Sequence, residues 1–260
     1  MIRVRYTAWD GTQQVRLSAD KVFERLSEYL SFTDDVQQAL DWLLHQGLEW
    51  DSVRVMGLDD FLEKLREELR AKHREVNLKE SFTELRERLE ALLDAEREAL
   101  DGLADPEEAK RRRERLDQLP HRISEALERL REEGLVGADA RAALEELLEE
   151  LENIRDLEEF NRRFGDLFHG PVSLNYEEAV ELMRLVERLK RLEEQLLSGN
   201  LDAVDADSLR ELLGDEALRS FNALKEVMLL LTNAGYLTQR EGRMDRDVEA
   251  LVGDEGGDHE

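Results

Sequence analysis

Along most of the chain apolar residues return every three or four positions, the spacing of a helix face that packs on a core. Val22, Phe23, Leu26, Tyr29 and Leu30 form a first stripe behind a Ser18 cap, and Val36, Ala39, Leu40, Leu43 and Leu44 a second that closes at Gly47. Phe61, Leu62, Leu65 and Leu69 open a longer run. Phe82, Leu85, Leu89, Leu92, Leu93 and Leu100 continue it after a weak stretch around Asn77, so two helices or one bent helix fit equally. Asp105 and Pro106 predict a helix start, because proline has no N–H to lose at a first helical position. Pro120 predicts an interruption, with Ile123, Leu127 and Leu130 resuming as far as Gly134. One helix is predicted over 138–163, and another, capped by Ser173, carries Val180, Met183, Val186, Leu189, Leu192 and Leu196 to Gly199. Leu209, Leu212 and Leu213 predict a short helix broken at Gly214, and Leu218, Phe221, Leu224, Val227, Met228 and Leu231 the last strong one.

Two stretches depart from this period. IRVRYTAWDGTQQVRL, residues 2–17, alternates apolar and polar side chains around Asp10-Gly11, the pattern of a β-hairpin with Ile2, Val4 and Tyr6 turned inward. FNRRFGDLFHGPVSLNY, residues 160–176, crowds aromatics around Gly165, Gly170 and Pro171 and is the clearest loop. The fold class expected is therefore all-α: a multi-helix bundle with a small N-terminal β-hairpin and a winged-helix-like C-terminal unit. The expected domains are a hairpin plus helical lobe over 1–164, a second helical lobe over 165–243, and an acidic disordered tail or linker over 244–260. The last 17 residues hold seven acidic residues against one basic.

Charge narrows the partners. Acidic residues number 63 against 37 basic, for a net charge of −26 in 260 residues, which repels nucleic acid and anionic membranes over most of the surface. There is no cysteine, so disulfides, thiolate metal sites and cysteine nucleophiles are excluded, and a cytoplasmic location is expected. No run approaches the ~18 apolar residues of a membrane span.

Little catalytic chemistry stands out. Gly-rich phosphate cradles, G-x-S-x-G elbows and Glu-x-x-His metal pairs are all absent from the sequence. Asp166 with His169, and His121 with Glu125, have helical spacing but no companion motif, and read as solvated or packing residues. No enzymatic role, cofactor or metal is expected. The basic run Lys110 to Arg115 is balanced by its setting, since residues 107–133 hold eight basic and eight acidic residues. Residues 207–243 run helix, helix, then a Gly-containing turn with Arg240 and Arg243, the order found at the end of a winged helix. Candidate partner-binding residues are thus Trp9 and Trp50 as aromatic anchors, Arg111 and Arg112, and Arg240 and Arg243; Trp42 reads as core.

Three stretches together carry a resemblance: MIRVRYTAWDGTQ, the Phe160-x-x-x-Phe164-Gly165-Asp166-x-Phe168 stretch, and LRELLGDEALRSFNALKEVMLLLTNAGYL. They resemble the N-terminal helical region of bacterial VWA (von Willebrand factor A) domain proteins. The Asp-x-Ser-x-Ser metal motif of the VWA domain itself does not occur, so no metal residue carries over. The resemblance implies an N-terminal part that ends in an acidic linker, or a naturally short version. It further implies a non-catalytic adaptor working with AAA+ ATPases of the MoxR type, with protein partners. The rival expectation is a winged-helix-like regulator that binds nucleic acid through residues 207–243, which the acidic charge disfavours.

Overall fold

The apolar stripes fold as helices in the computed structural model, which describes residues 19–33, 35–50, 53–233, 238–240 and 243–245. The predicted hairpin over 2–17, Trp9 with it, lies outside the described residues, as do residues 246–260 of the predicted tail. In chain order the first elements are α1 (Ala19–Leu30), α2 (Val36–Gln46), β1 (Leu48–Trp50), β2 (Val53–Val55), α3 (Leu58–Glu75) and β3 (Val76–Asn77). Then come α4 (Lys79–Asp101), α5 (Pro106–Leu116), α6 (Ile123–Glu133), α7 (Ala138–Glu149) and α8 (Leu151–Phe164). A 3-10 turn (Gly165–Leu167) leads to β4 (Val172–Ser173), α9 (Tyr176–Leu197), α10 (Ala206–Asn233), β5 (Thr238–Arg240) and β6 (Arg243–Asp245). The protein is predominantly α-helical, and the strands among the described residues are two or three residues long.

The chain divides into two compact units, one formed by Met1–Glu67 with Leu189–Glu260 and the other by Glu68–Arg188. In the first, α1 packs on α2 and α10, and β2 lies against α10. Val22, Leu26, Leu43, Leu58, Phe61 and Phe221 are buried, and Phe61 meets Phe221 edge to face at 6.0 Å. Trp42 is half-buried against Tyr29, with ring centroids 6.1 Å apart. β1 and β2 form an antiparallel pair, Leu48 opposite Val55, that the helical period of the flanking sequence did not announce. Gly47 permits it: its φ is +74°, and a Cβ there would meet the Val55 carbonyl oxygen at 2.2 Å. α10 leaves helical geometry at Gly214 (φ 87°, ψ 174°), where the sequence predicts a break. β5 and β6 pair antiparallel with Arg240 opposite Arg243, so a strand occupies Met244 and Asp245, the first two positions of the predicted tail.

In the second unit α4 is the central helix, in contact with α5, α6 and α7, while α8 packs on α6 and α7. Leu85, Leu92, Leu100, Leu127, Leu130 and Ile154 form the middle of its core. The weak stretch around Asn77 resolves as two helices, because Val76 and Asn77 leave α3 to pair in parallel with Val172 and Ser173. The single helix expected over 138–163 is two, α7 and α8, divided at Glu150; the change of direction buries Leu144 and Leu147 on one and Ile154 and Leu157 on the other.

Residues 165–173 belong wholly to the second unit. Phe168 is buried between Phe160 and His73, at centroid distances of 5.6 and 4.7 Å. The Gly170 N–H donates to the Val76 carbonyl at 2.9 Å, and the Asn77 side-chain amide donates to the Gly170 carbonyl at 2.9 Å. The approach is so close that a Cβ on Gly170 would lie 2.1 Å from the Glu75 carbonyl carbon. Ser173 does not cap α9; it sits in β4, its hydroxyl on Asn77. Asn175 and Glu178 make a reciprocal capping box instead, at 2.9 and 3.0 Å.

Candidate functional site

A helix start leaves four backbone N–H groups without intrahelical partners. In the second unit several of these are met by glutamates from other helices. Glu96, in the body of α4 and 1% exposed, accepts from the Val136 N–H at 2.9 Å and the Gly137 N–H at 2.8 Å, at the start of α7. Glu158 of α8 accepts from the Ile123 N–H at 2.7 Å and from the Ser124 hydroxyl, at the start of α6. Glu84 of α4 accepts from the Tyr176 N–H at 2.9 Å, at the start of α9. Each carboxylate also complements the positive end of the helix it meets. Sequence reasoning missed all three, although a signal existed for two. Glu96 falls on the stripe of Leu89, Leu92, Leu93 and Leu100, and Glu158 lies four residues after Ile154, so both are acids at core positions.

Two clefts open on this unit. One, of about 720 Å³, has Val76, Val172, Leu174 and Leu182 on its wall. Its charges offset one another: Lys72 binds Glu75 at 2.8 Å, and Arg184 binds Asn153 at 3.0 Å beside Glu178 and Glu181. The other, of about 640 Å³, lies between the first turns of α4, the start of α6 and the last turns of α8. Lys79, Phe82, Thr83 and Arg86 share the cleft face of α4, at the i, i+3, i+4, i+7 spacing of a helix stripe. His121 and Arg122 come from the approach to α6, and Asn161 and Arg162 from α8. Arg122 pairs with Glu125 at 3.2 Å and Arg162 with Glu159 at 2.7 Å, and that guanidinium holds the Glu159 carboxyl below its usual range.

Tyr176 is buried beside Glu150 and Arg88. Burial first, then the Glu150 carboxylate, pushes its hydroxyl far above the usual tyrosine range, so it stays neutral. Arg88 lies 5.9 Å from its ring centroid and binds Glu150 at 3.1 Å.

The predicted partner-binding residues fall in both units. Trp9 is outside the described residues, Trp50 lies in β1, and Arg240 and Arg243 face each other in the β5–β6 register. Arg111 is exposed on α5 and donates to the Glu107 carbonyl at 3.2 Å, while Arg112 binds the Glu108 carboxylate at 3.2 Å and reaches the Gly134 carbonyl at 3.4 Å. Asp166 is exposed, and His169 meets the Leu167 carbonyl through Nδ1 at 2.9 Å. Among the described residues no group of three or more His, Asp or Glu is placed to hold a metal ion, and no helix is long and apolar enough to cross a membrane.

With this geometry in place, comparison with known proteins adds one finding. Residues 79–150, which run from the start of α4 to the end of α7 within the second unit, match a family model described as the Mb0984 helical domain. The match covers under a third of the chain. No curated protein and no solved structure matches the sequence.

Proposed function

We propose that the chain is a non-catalytic protein-interaction region, the adaptor part of a VWA-type protein that works with a MoxR-type AAA+ ATPase. The observation that carries the non-catalytic half is the use made of buried polar groups. Asn77, Ser81, Glu96 and Ser124, all buried, bond a loop carbonyl, a helix-start carbonyl, the N–H groups at the start of α7 and the Glu158 carboxylate, whereas the buried Tyr176 hydroxyl has no hydrogen-bond partner among the described residues. A catalytic group needs a free face toward substrate; the first four are engaged in holding helices together. The matched helical-domain model supports a discrete helical module in the middle of the chain. The choice of ATPase partner rests on the resemblance of the opening motif, the 160–168 stretch and the 209–237 segment to VWA proteins. The test is co-elution of the full chain with the MoxR-type ATPase of the same genome, with and without ATP. Retention together with a changed ATPase rate is the expected result; neither retention nor a rate change overturns the reading.

The second reading, nucleic-acid binding through residues 207–243, is favoured by the β5–β6 pair that follows α10, as a wing follows a recognition helix. Electrostatics weigh against it, because Lys225 on that helix is held by Asp202 at 2.8 Å. Salt-dependent binding of a duplex that weakens in an Arg240→Gln, Arg243→Gln variant would establish it.

A further inference from the structure

The basic cleft of the second unit has a use that the adaptor reading leaves unassigned. With 63 acidic residues against 37 basic, exposed cations of this protein commonly find a carboxylate, as Arg155 does with Glu128 and Arg129 with Glu133. In this cleft Arg122 and Arg162 keep to that habit, and three other groups do not. Lys79 and Arg86 stand two turns apart on one face of α4, and His121 lies on the segment leading into α6. Among the described residues none of the three makes an ion pair or a side-chain hydrogen bond. The Glu158 carboxylate on the same wall is already engaged by the Ile123 N–H, the Ser124 hydroxyl and, at 3.6 Å, Arg122. That leaves Asp166 as the other acid on a wall that also carries Arg122 and Arg162. Since Arg122 and Arg162 have glutamate partners, Lys79 and Arg86 are the cations of this wall that no carboxylate among the described residues holds.

We propose that this cleft binds a small phosphate monoester with an apolar or ring-shaped body. Lys79 and Arg86 hold the phosphate, His121 adds a donor, and half-buried Phe82 flanks the body. A phosphate dianion calls for at least two cationic donors, and charge-assisted bonds to phosphate are short and strong. The start of α4, where Leu78 offers no cap and the Asn77 side chain takes the Lys79 N–H at 3.2 Å, places the positive end of that helix at the same wall. A volume of about 640 Å³ falls within the usual range of small-molecule sites. The overall charge favours a small ligand over an extended acidic chain. Outside the cleft the surface repels anions, and at physiological salt a local cluster acts only over ~8 Å.

The probe is phenyl phosphate, titrated into the full chain and followed by amide chemical shifts at low and at 150 mM salt. Saturable shifts confined to the first turns of α4, the His121–Ser124 segment and the end of α8 are expected. The Lys79→Gln, Arg86→Gln double variant is expected to weaken binding about tenfold, the loss of charge-assisted contacts to one phosphate. Asp166→Asn, which removes a like charge from the wall, is expected to tighten it. Both variants alter exposed side chains, and an unchanged thermal transition establishes that each is folded. Non-saturable shifts, shifts spread over other basic surface, or equal affinity in the double variant would overturn the proposal. So would binding of an oligoglutamate peptide at this cleft in place of phenyl phosphate, which would reassign it to a protein partner. The outcome is independent of whether the ATPase is bound.

Discussion

Helices α5 and α7 begin in the same unit and meet the same need by opposite means. At α5 the cap is local: Asp105, exposed, accepts from the Glu107 and Glu108 N–H groups at 3.0 and 3.3 Å, and Pro106 removes one donor from the count. At α7 the residue in the cap position is Gly137, which has no side chain to offer, and the carboxylate arrives from Glu96, some forty residues earlier. The local cap orders one turn of one helix. The remote cap fixes two helices against each other, and does so where water is excluded, so losing it leaves buried donors with nothing to bind. The difference teaches that the acidic composition has two layers: a solvated one that carries net charge, and a small buried set that joins elements.

That contrast makes graded predictions. Glu96→Ala strands two N–H groups in a closed site and is expected to cost about 3 kcal/mol in denaturant unfolding of the full chain; Glu96→Gln, which keeps an acceptor, should cost clearly less. A loss below that of a surface cap would break the comparison. Glu158→Ala, at a less enclosed site with Ser124 as a second donor, should cost about 2 kcal/mol by the same measurement. Asp105→Ala should cost about 1 kcal/mol, and Asp105→Asn almost nothing, because asparagine caps equally well.

The first unit offers a pH version of the local cap. Asp205, at the start of α10, accepts from the Ser208 hydroxyl at 2.7 Å and from the Asp207 and Ser208 N–H groups, and the Ser208 hydroxyl above all holds its carboxyl below the usual aspartate range. A depressed folded value means that its contribution is complete above the unfolded aspartate range and is lost as pH falls through the folded value. Asp205→Asn should flatten that acid-side slope without altering stability at neutral pH, as followed by helical circular dichroism. The smallest effect belongs to exposed pairs: Arg155→Ala, which removes the bond to Glu128 at 2.5 Å, should shift stability by less than about 0.5 kcal/mol.

What the sequence made legible follows the range of the interaction involved. The Asp105-Pro106 start, the break at Gly214 and the end at Gly199, where φ is +68°, depend on neighbours within a turn, and each stands where it was predicted. Helix periodicity located the core, although Phe23, counted on its stripe, is 44% exposed. The β1–β2 pair, the split at Glu150 and the pairing of Val76 with Val172 were not legible. Short strands give no period, and a partner almost a hundred residues away leaves no local mark. The capping glutamates lay between these cases, visible as acids on an apolar stripe but without an indication of which N–H groups they would meet. The basic cleft was hidden for the same reason, since Lys79, His121 and Arg162 come from three separate helices or their approaches.

The chain order of the two units carries a consequence for biosynthesis. The second unit is one uninterrupted segment, Glu68–Arg188, whereas the first needs both Met1–Glu67 and Leu189–Glu260. As the chain leaves the ribosome, the inner segment therefore has all its partners before the outer one does. Phe61 must wait for Phe221, and the Met56 N–H for the Ser220 hydroxyl that it meets at 2.6 Å. At ~5–20 residues per second, that interval lasts several seconds or more, and during it the apolar faces of α1 and α2 are the natural client surface for a chaperone.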